Sequence, residues 1–323
     1  MLRLIALLMA LAAAGYWLWR TGDAPLIDEI ANARNETGAD FESRKVKGAD
    51  GVELHVVFAG PANGEPVILI HGFPEFWYSW RHQAAALAEA GFRVAIPDLR
   101  GYNRSDKPKA RENYQVADYA ADIVAVLDAQ NWPQANIAGH DIGAIVAWKL
   151  IFDHSSRVDR AVVFNIAPPE ALAAAVAAGG ASTSWYRTAF KAPFLPEFAL
   201  RAGGYRILKK TLREGAAGGF TEADLDIYAS AWARDNAVST MLGFYRADGL
   251  NGAAPQMYAR RPAPPTLFVA AGLDPYVPAG AIELAREVVG ERNVELWPNT
   301  GHWVLQQEQD MTVDALTRWL GGE

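Results

Sequence analysis

Ala135-Asn136-Ile137-Ala138-Gly139-His140-Asp141-Ile142-Gly143-Ala144-Ile145-Val146-Ala147-Trp148 is the stretch on which the fold turns. Residues Ala135–Ala138 have the character of a short buried strand, and a helical pattern starts at Ala144 and runs to Phe152. Between them the chain must reverse within Gly139–Gly143. The central residue of so tight a bend is strained, bulk on either side would clash, and the two glycines relieve it. A bend of this kind raises the side chain of Asp141 at the C-terminal edge of a sheet, where ligands collect in open α/β folds. The plain alternative is an aspartate that merely caps a helix; its weight depends on what partners the rest of the chain supplies.

Outward from this point the pattern repeats. Apolar runs bounded by turn residues occur at Val67–Ile70, Arg93–Ile96, Ala161–Phe164, Thr266–Ala270 and Asn293–Leu296. Helical patterns lie between most of them, at His82–Ala90, Val116–Gln130 and Gly280–Val289. Phe41–Val46, the turn Gly48–Gly51 and Val52–Phe58 read as a hairpin. Short apolar strands alternating with helices predict a mostly parallel eight-stranded sheet covered on both faces. From Pro169 to Pro255 no convincing strand occurs, and helical spacing is found around Ala189–Lys210 and Thr221–Arg234. Since the alternation resumes afterwards, 169–255 reads as a helical lid inserted between the sixth and seventh strands, dividing the core into 23–168 and 256–323.

Composition narrows the function class. Hydrophobic types make up 51% of the 323 residues, enough for a large core. A net charge of −7 is the wrong balance for a nucleic-acid binder. The chain has no cysteine, which removes thiol nucleophiles, thiolate metal sites and disulfides. Arg3 precedes a charge-free run, Leu4–Trp19, closed by Arg20. As a helix it would span roughly 24 Å, short of a hydrocarbon core of about 30 Å, and Tyr16, Trp17 and Trp19 suit a membrane interface. Residues 1–22 therefore read as a secretory signal or a membrane anchor, with an exported, periplasmic or membrane-anchored location.

The partners of Asp141 lie in three loops. His71-Gly72-Phe73-Pro74-Glu75 follows a strand, and the amides of Phe73 and Ile142 are placed to form an oxyanion hole. His71 precedes that hole and reads as a structural, hydrogen-bonded histidine. Asp274 follows the strand Thr266–Ala270, and His302 follows Asn293–Leu296. The chain order is nucleophile, acid, base, with Asp in place of the usual serine. A carboxylate suits displacement at saturated carbon bearing a strained ring or good leaving group, leaving an ester that water can cleave. His302 would activate the water and Asp274 would hold its tautomer. This scheme needs no metal or organic cofactor.

The residues from His71 to Gln83, with Pro97–Tyr102, Ser105–Pro108, Gly139–Gly143 and Gly301–Trp303, resemble the epoxide hydrolases of the α/β-hydrolase superfamily. The resemblance covers roughly residues 40–320 and implies that fold, a small-molecule apolar epoxide as substrate and a vicinal diol as product. It also implies two lid tyrosines that protonate the epoxide oxygen, matching Tyr186 and Tyr245, with Tyr205, Tyr228 and Tyr258 as competitors. Trp77, Trp185, Phe244 and Trp303 are the aromatic candidates for the substrate pocket. Two departures bear on a rival in the same superfamily, a haloalkane or haloacid dehalogenase. Many relatives have Trp where this chain has Ile142, and many dehalogenases have Asn where it has Phe73. Where some of the superfamily carry the acid after the sixth strand, this chain has Asn165. A rival of another class is a non-catalytic, membrane-tethered binding protein on the same fold.

Overall fold

The computed structural model describes residues 24–178, 185–216, 218–247 and 261–322. Eight strands form one sheet: β1 (Glu42–Lys47), β2 (Glu53–Ala59), β3 (Pro66–Ile70), β4 (Arg93–Pro97), β5 (Ala135–His140), β6 (Val158–Phe164), β7 (Thr266–Ala271) and β8 (Val294–Trp297). Their order is β1-β2-β4-β3-β5-β6-β7-β8. The hairpin β1–β2 and the β2–β4 pair are antiparallel; every other pairing is parallel. The strands that fill the middle need no polar face, and Val67, Ile68, Leu69 and Ile70 of β3 are fully buried.

The sheet order places the site. From β3 the chain steps outward to β4, then returns past β3 to β5, so the direction of winding reverses between β3 and β5. Right-handed crossovers then put the helices Arg81–Glu89 and Val116–Ala129 on opposite faces. The loops after β3 and β5 part at this switch point and leave a crevice at the carboxyl ends of the strands. They carry Phe73 and Asp141.

Between β6 and β7 the described residues are helical: Pro169–Ala177, Trp185–Phe190, Leu195–Gly215, Glu222–Trp232, Ala237–Met241 and Gly243–Arg246. Helical structure follows the spacing around Ala189–Lys210 but is broken twice. It stops at Phe190, resumes at Leu195, and is interrupted at Ala202–Tyr205, where Gly203, Gly204 and Tyr205 take positive φ. Pro193 and the adjacent glycines are the local cause. Side chains tie this helical layer to the site loops. Trp232 Nε1 donates to Pro74 O at 2.6 Å, and Trp303 Nε1 donates to Thr211 O at 3.2 Å.

One helix lay outside the sequence pattern. Glu29–Thr37 is capped by Asp28, whose carboxylate accepts from the amides of Ile30 and Ala31. It is held tertiarily: Arg81, nearly fully buried, bridges Glu36 at 2.7 Å and Asp224 of the helical layer at 2.7 Å. Among the described residues no helix is long and apolar enough to cross a membrane. The run Leu4–Trp19 lies outside the described residues.

Candidate active site

Asp141 stands alone between a strand and a helix, with φ 56° and ψ −118°. The neighbours of this bend must be glycine. A Cβ on Gly139 would lie 2.3 Å from Gly143 O, and one on Gly143 would lie 2.1 Å from Ile70 O. Ile142 is the first residue of the helix Ile142–Asp153, where backbone N–H groups have no intrahelical acceptor.

The loop after β3 approaches Asp141 closely. A Cβ on Gly72 would sit 2.4 Å from the Asp141 Cβ, so glycine is what permits the contact. The Phe73 amide donates to Asp141 Oδ1 at 2.8 Å. His71 is fully buried behind this loop; its Nε2 accepts from the Leu99 amide at 3.0 Å and its Nδ1 faces Gly72 O at 2.9 Å. Burial pushes its pKa down, in keeping with a neutral ring that receives one hydrogen bond and donates the other.

The other oxygen of Asp141 faces His302. Oδ2 lies 3.4 Å from His302 Nε2, and His302 Nδ1 lies 2.7 Å from Asp274 Oδ2. Asp274 is oriented in turn by the Tyr276 amide, which donates to its Oδ1 at 2.8 Å. Burial by itself pushes the imidazolium of His302 down, but the Asp274 charge and the hydrogen bonds to Asp141 and Asp274 override it, and its pKa is pushed up to about 10. For Asp141 burial pushes the carboxyl up; the hydrogen bond and charge of His302, aided by the Phe73 amide, outweigh it and hold the carboxyl below its ordinary value. Asp274, His302 and Asp141 thus form one line, closed at the Asp141 end by the Phe73 amide.

Comparison with known proteins places the chain in a family. The alpha/beta hydrolase fold family model matches residues 65–309. Epoxide hydrolase A of Mycobacterium tuberculosis is 30% identical over 309 residues, covering 84% of this chain and 95% of its own. Epoxide hydrolase 2 of Caenorhabditis elegans is 30% identical over 271 residues, 82% of this chain and 76% of its own. The crystal structure of epoxide hydrolase A from Mycobacterium thermoresistibile superposes with a TM-score of 0.75 at 27% identity, over 87% of this chain and 98% of that one. The chain belongs to the epoxide hydrolase-like α/β hydrolases.

In this epoxide hydrolase-like site, the residue before the bend has a part that sequence reasoning missed. His140 is fully buried, with Nε2 2.9 Å from the carbonyl oxygen of His302 and Nδ1 3.1 Å from Glu75 Oε2. Nε2 must donate to the carbonyl, so a proton is also shared between Nδ1 and the Glu75 carboxyl. Asn165 Nδ2 donates to the same His302 carbonyl at 2.6 Å, while its Oδ1 accepts from the Ala271 amide at 3.1 Å. Gln306 Nε2 donates to Glu75 Oε1 at 3.1 Å. His140 and Glu75 both sat inside motifs already singled out, but nothing in a linear pattern says that they meet.

A narrow cavity opens over Asp141. Its described lining includes Ile142, Ile145, Ile166, Leu172, Tyr186, Arg187, Phe244, Tyr245 and Tyr276. Tyr186 and Tyr245 face each other with ring centroids 5.9 Å apart, and Phe73 packs edge-on against Tyr245 at 5.2 Å. Burial raises both phenols, and the Asp141 charge raises them further, with each other's neighbourhood adding to the shift at Tyr245. Tyr276, which the sequence pattern did not single out, packs edge-on to His302 at 4.7 Å and to Tyr186 at 5.7 Å.

Three pocket expectations are corrected. Trp77 is fully buried against Phe41, Phe76 and Tyr78 and does not line this cavity; it belongs to the core beneath the loop. Trp185 is 74% exposed and points to solvent. Trp303 packs on the His302 ring at 4.6 Å and braces the base without lining the cavity. Tyr205 and Tyr228 are fully buried against Trp232, away from the cavity; Tyr258 lies outside the described residues. Among the described residues no cluster of three or more His, Asp or Glu is arranged to hold a metal ion.

Proposed function

We propose that this protein converts an epoxide and water to a vicinal diol through an ester on Asp141. The observation that carries the reading is the division of labour within one carboxylate: Oδ1 rests on the Phe73 amide, while Oδ2 faces His302 beneath two tyrosines.

In the first step Oδ2 attacks a ring carbon, the carbon–oxygen bond of the ring breaks, and Tyr186 or Tyr245 gives its phenolic proton to the departing oxygen. The phenols stay protonated in the resting site and still donate to an alkoxide, a far stronger base. Forming the ester removes the Asp141 charge that helps hold the His302 proton. His302 then returns a proton to the tyrosinate and becomes the neutral base.

In the second step His302 takes a proton from water as the water oxygen bonds to Asp141 Cγ. Negative charge grows on Oδ1, where the Phe73 amide already donates. Collapse breaks the Cγ–Oδ2 bond, and the acid proton of the intermediate passes to the leaving oxygen. The products are the diol, the Asp141 carboxylate and the imidazolium, so atoms and protons balance. Excess protein turned over once in heavy-oxygen water should release unlabelled diol and leave the label in the peptide containing Asp141. Label in the first diol and none in the peptide would sink the ester.

Ile145, Ile166, Leu172 and Phe244 support an epoxide with an apolar body. Against a dehalogenase stands Ile142, which offers a departing halide no ring N–H; halide release from bromoalkanes tests that reading. The run Leu4–Trp19 supports export or membrane attachment, tested by fractionating cells that make the full chain.

A further inference from the structure

We propose that Arg187 forms an anion subsite in the cavity above Asp141, and that the preferred substrate is an epoxide carrying a carboxylate on an apolar chain. The proposal rests on the epoxide reading and narrows it. Arg187 follows Tyr186 on the helix Trp185–Phe190 and lines the same cavity as Asp141, Tyr245 and Tyr276. It is half-buried, and among the described residues it has no hydrogen bond or ion pair.

Two arginines of the helical layer, by contrast, have carboxylate partners. Arg246 pairs with Glu197 at 2.6 Å, and Arg213 pairs with Glu222 at 2.5 Å. The Arg187 guanidinium offers five N–H donors with no protein acceptor assigned to them. A ligand carboxylate would meet those donors two at a time, the geometry for which the planar fork is suited.

The position has a chemical consequence. The charge of Arg187 is felt at Tyr186, where it opposes part of the upward push from burial and Asp141. The cation therefore lies within electrostatic reach of one of the two tyrosines proposed to open the ring. Without it, the Asp141 carboxylate would repel an anionic substrate; with it, the cavity lining holds both charges together with the aliphatic side chains of Ile145, Ile166 and Leu172. An amphiphilic molecule, acid at one end and epoxide at the other, fits that pattern.

The test compares epoxyalkanoates of increasing chain length with their methyl esters. For the best chain length the acid should exceed its ester in kcat/KM by about tenfold or more, the scale of a charge-assisted hydrogen bond. Arg187→Met should erase that ratio, chiefly through KM, and Arg187→Lys should restore part of it. A ratio near unity in the natural chain, or one that survives Arg187→Met, overturns the subsite. If neither acid nor ester yields diol, the reaction reading has failed, and the subsite is judged by calorimetry. Hexanoate should then bind more tightly than hexanamide, with the preference lost in Arg187→Met; equal binding of the two overturns it.

Discussion

Nε2 of His140 lies 2.9 Å from the carbonyl oxygen of His302, so the residue before Asp141 grips the backbone of His302. Asn165 reaches the same oxygen from β6. His302 is therefore located by its main chain as well as by Asp274, so that in the proposed mechanism its ring can lose and regain a proton without wandering. Asn165→Ala removes one donor from that carbonyl and strips the Ala271 amide of its acceptor. We expect a stability loss of about 1–3 kcal/mol by denaturant titration, together with slower ester hydrolysis. A hydrolysis rate equal to that of the natural chain would show that the grip has no bearing on the base.

His302→Gln separates the two chemical steps. In the proposed mechanism ring opening needs the carboxylate and a phenol, while ester cleavage needs the imidazole. Intact-mass measurement should show the protein heavier by one substrate, and release of diol should slow by on the order of a thousandfold. Asp141→Ala should give neither adduct nor diol while retaining the melting behaviour of a folded chain. An adduct on that variant would place the nucleophile elsewhere.

Tyr186→Phe and Tyr245→Phe each remove one candidate proton donor and keep the ring that packs in the aromatic cluster. Each should slow adduct formation in single-turnover experiments by about a hundredfold. The double variant should fall further than either. If the single variants form the ester at the natural rate, Tyr276 becomes the donor to test.

The pH dependence of stability has a defined sign. The folded pKa of His302 is raised from 6.5 to about 10, so the stabilisation linked to its proton is complete below the unfolded value and is lost as pH rises through about 10. Asp141 is shifted the other way, and its contribution is lost as pH falls through its depressed value. The melting temperature should therefore decline between neutral pH and about 10, and His302→Gln should remove that part of the decline. An unchanged slope in the variant would refute the coupling.

Gly143→Ala tests the bend itself. The added Cβ would meet Ile70 O at 2.1 Å, a backbone atom of a central strand that cannot move aside cheaply. The expected cost is about 1–3 kcal/mol, read as a lowered denaturation midpoint. A variant of unchanged stability would mean that the strand and helix separate more easily than their packing indicates.

Much of this architecture was legible in one dimension because it is local. Strand, bend and helix around Asp141 follow from apolar runs and glycine positions, and β3, β4 and β7 began within a residue of where the apolar runs placed them. The helical spacing around Ala189–Lys210 was realised in pieces, because Pro193 and the pair Gly203-Gly204 interrupt it. The helix Glu29–Thr37 escaped because its stability comes from partners far along the chain: Arg81, which bridges Glu36, and Arg104, whose Nε lies 2.8 Å from Glu29.

By itself the sequence determined the type of fold and the chemical character of the groups that meet at its switch point. A carboxylate at the bend, an aspartate and a histidine after later strands, and glycines on both sides are properties of residues and their immediate neighbours. Only the tertiary structure decided which aromatic side chains face the cavity. Trp77 went into the core, Trp185 went to solvent, and Tyr276 came to rest against the base. The physical reason is that orientation depends on how whole elements pack, through contacts such as Trp232 to Pro74 and His140 to His302 that join residues more than a hundred positions apart.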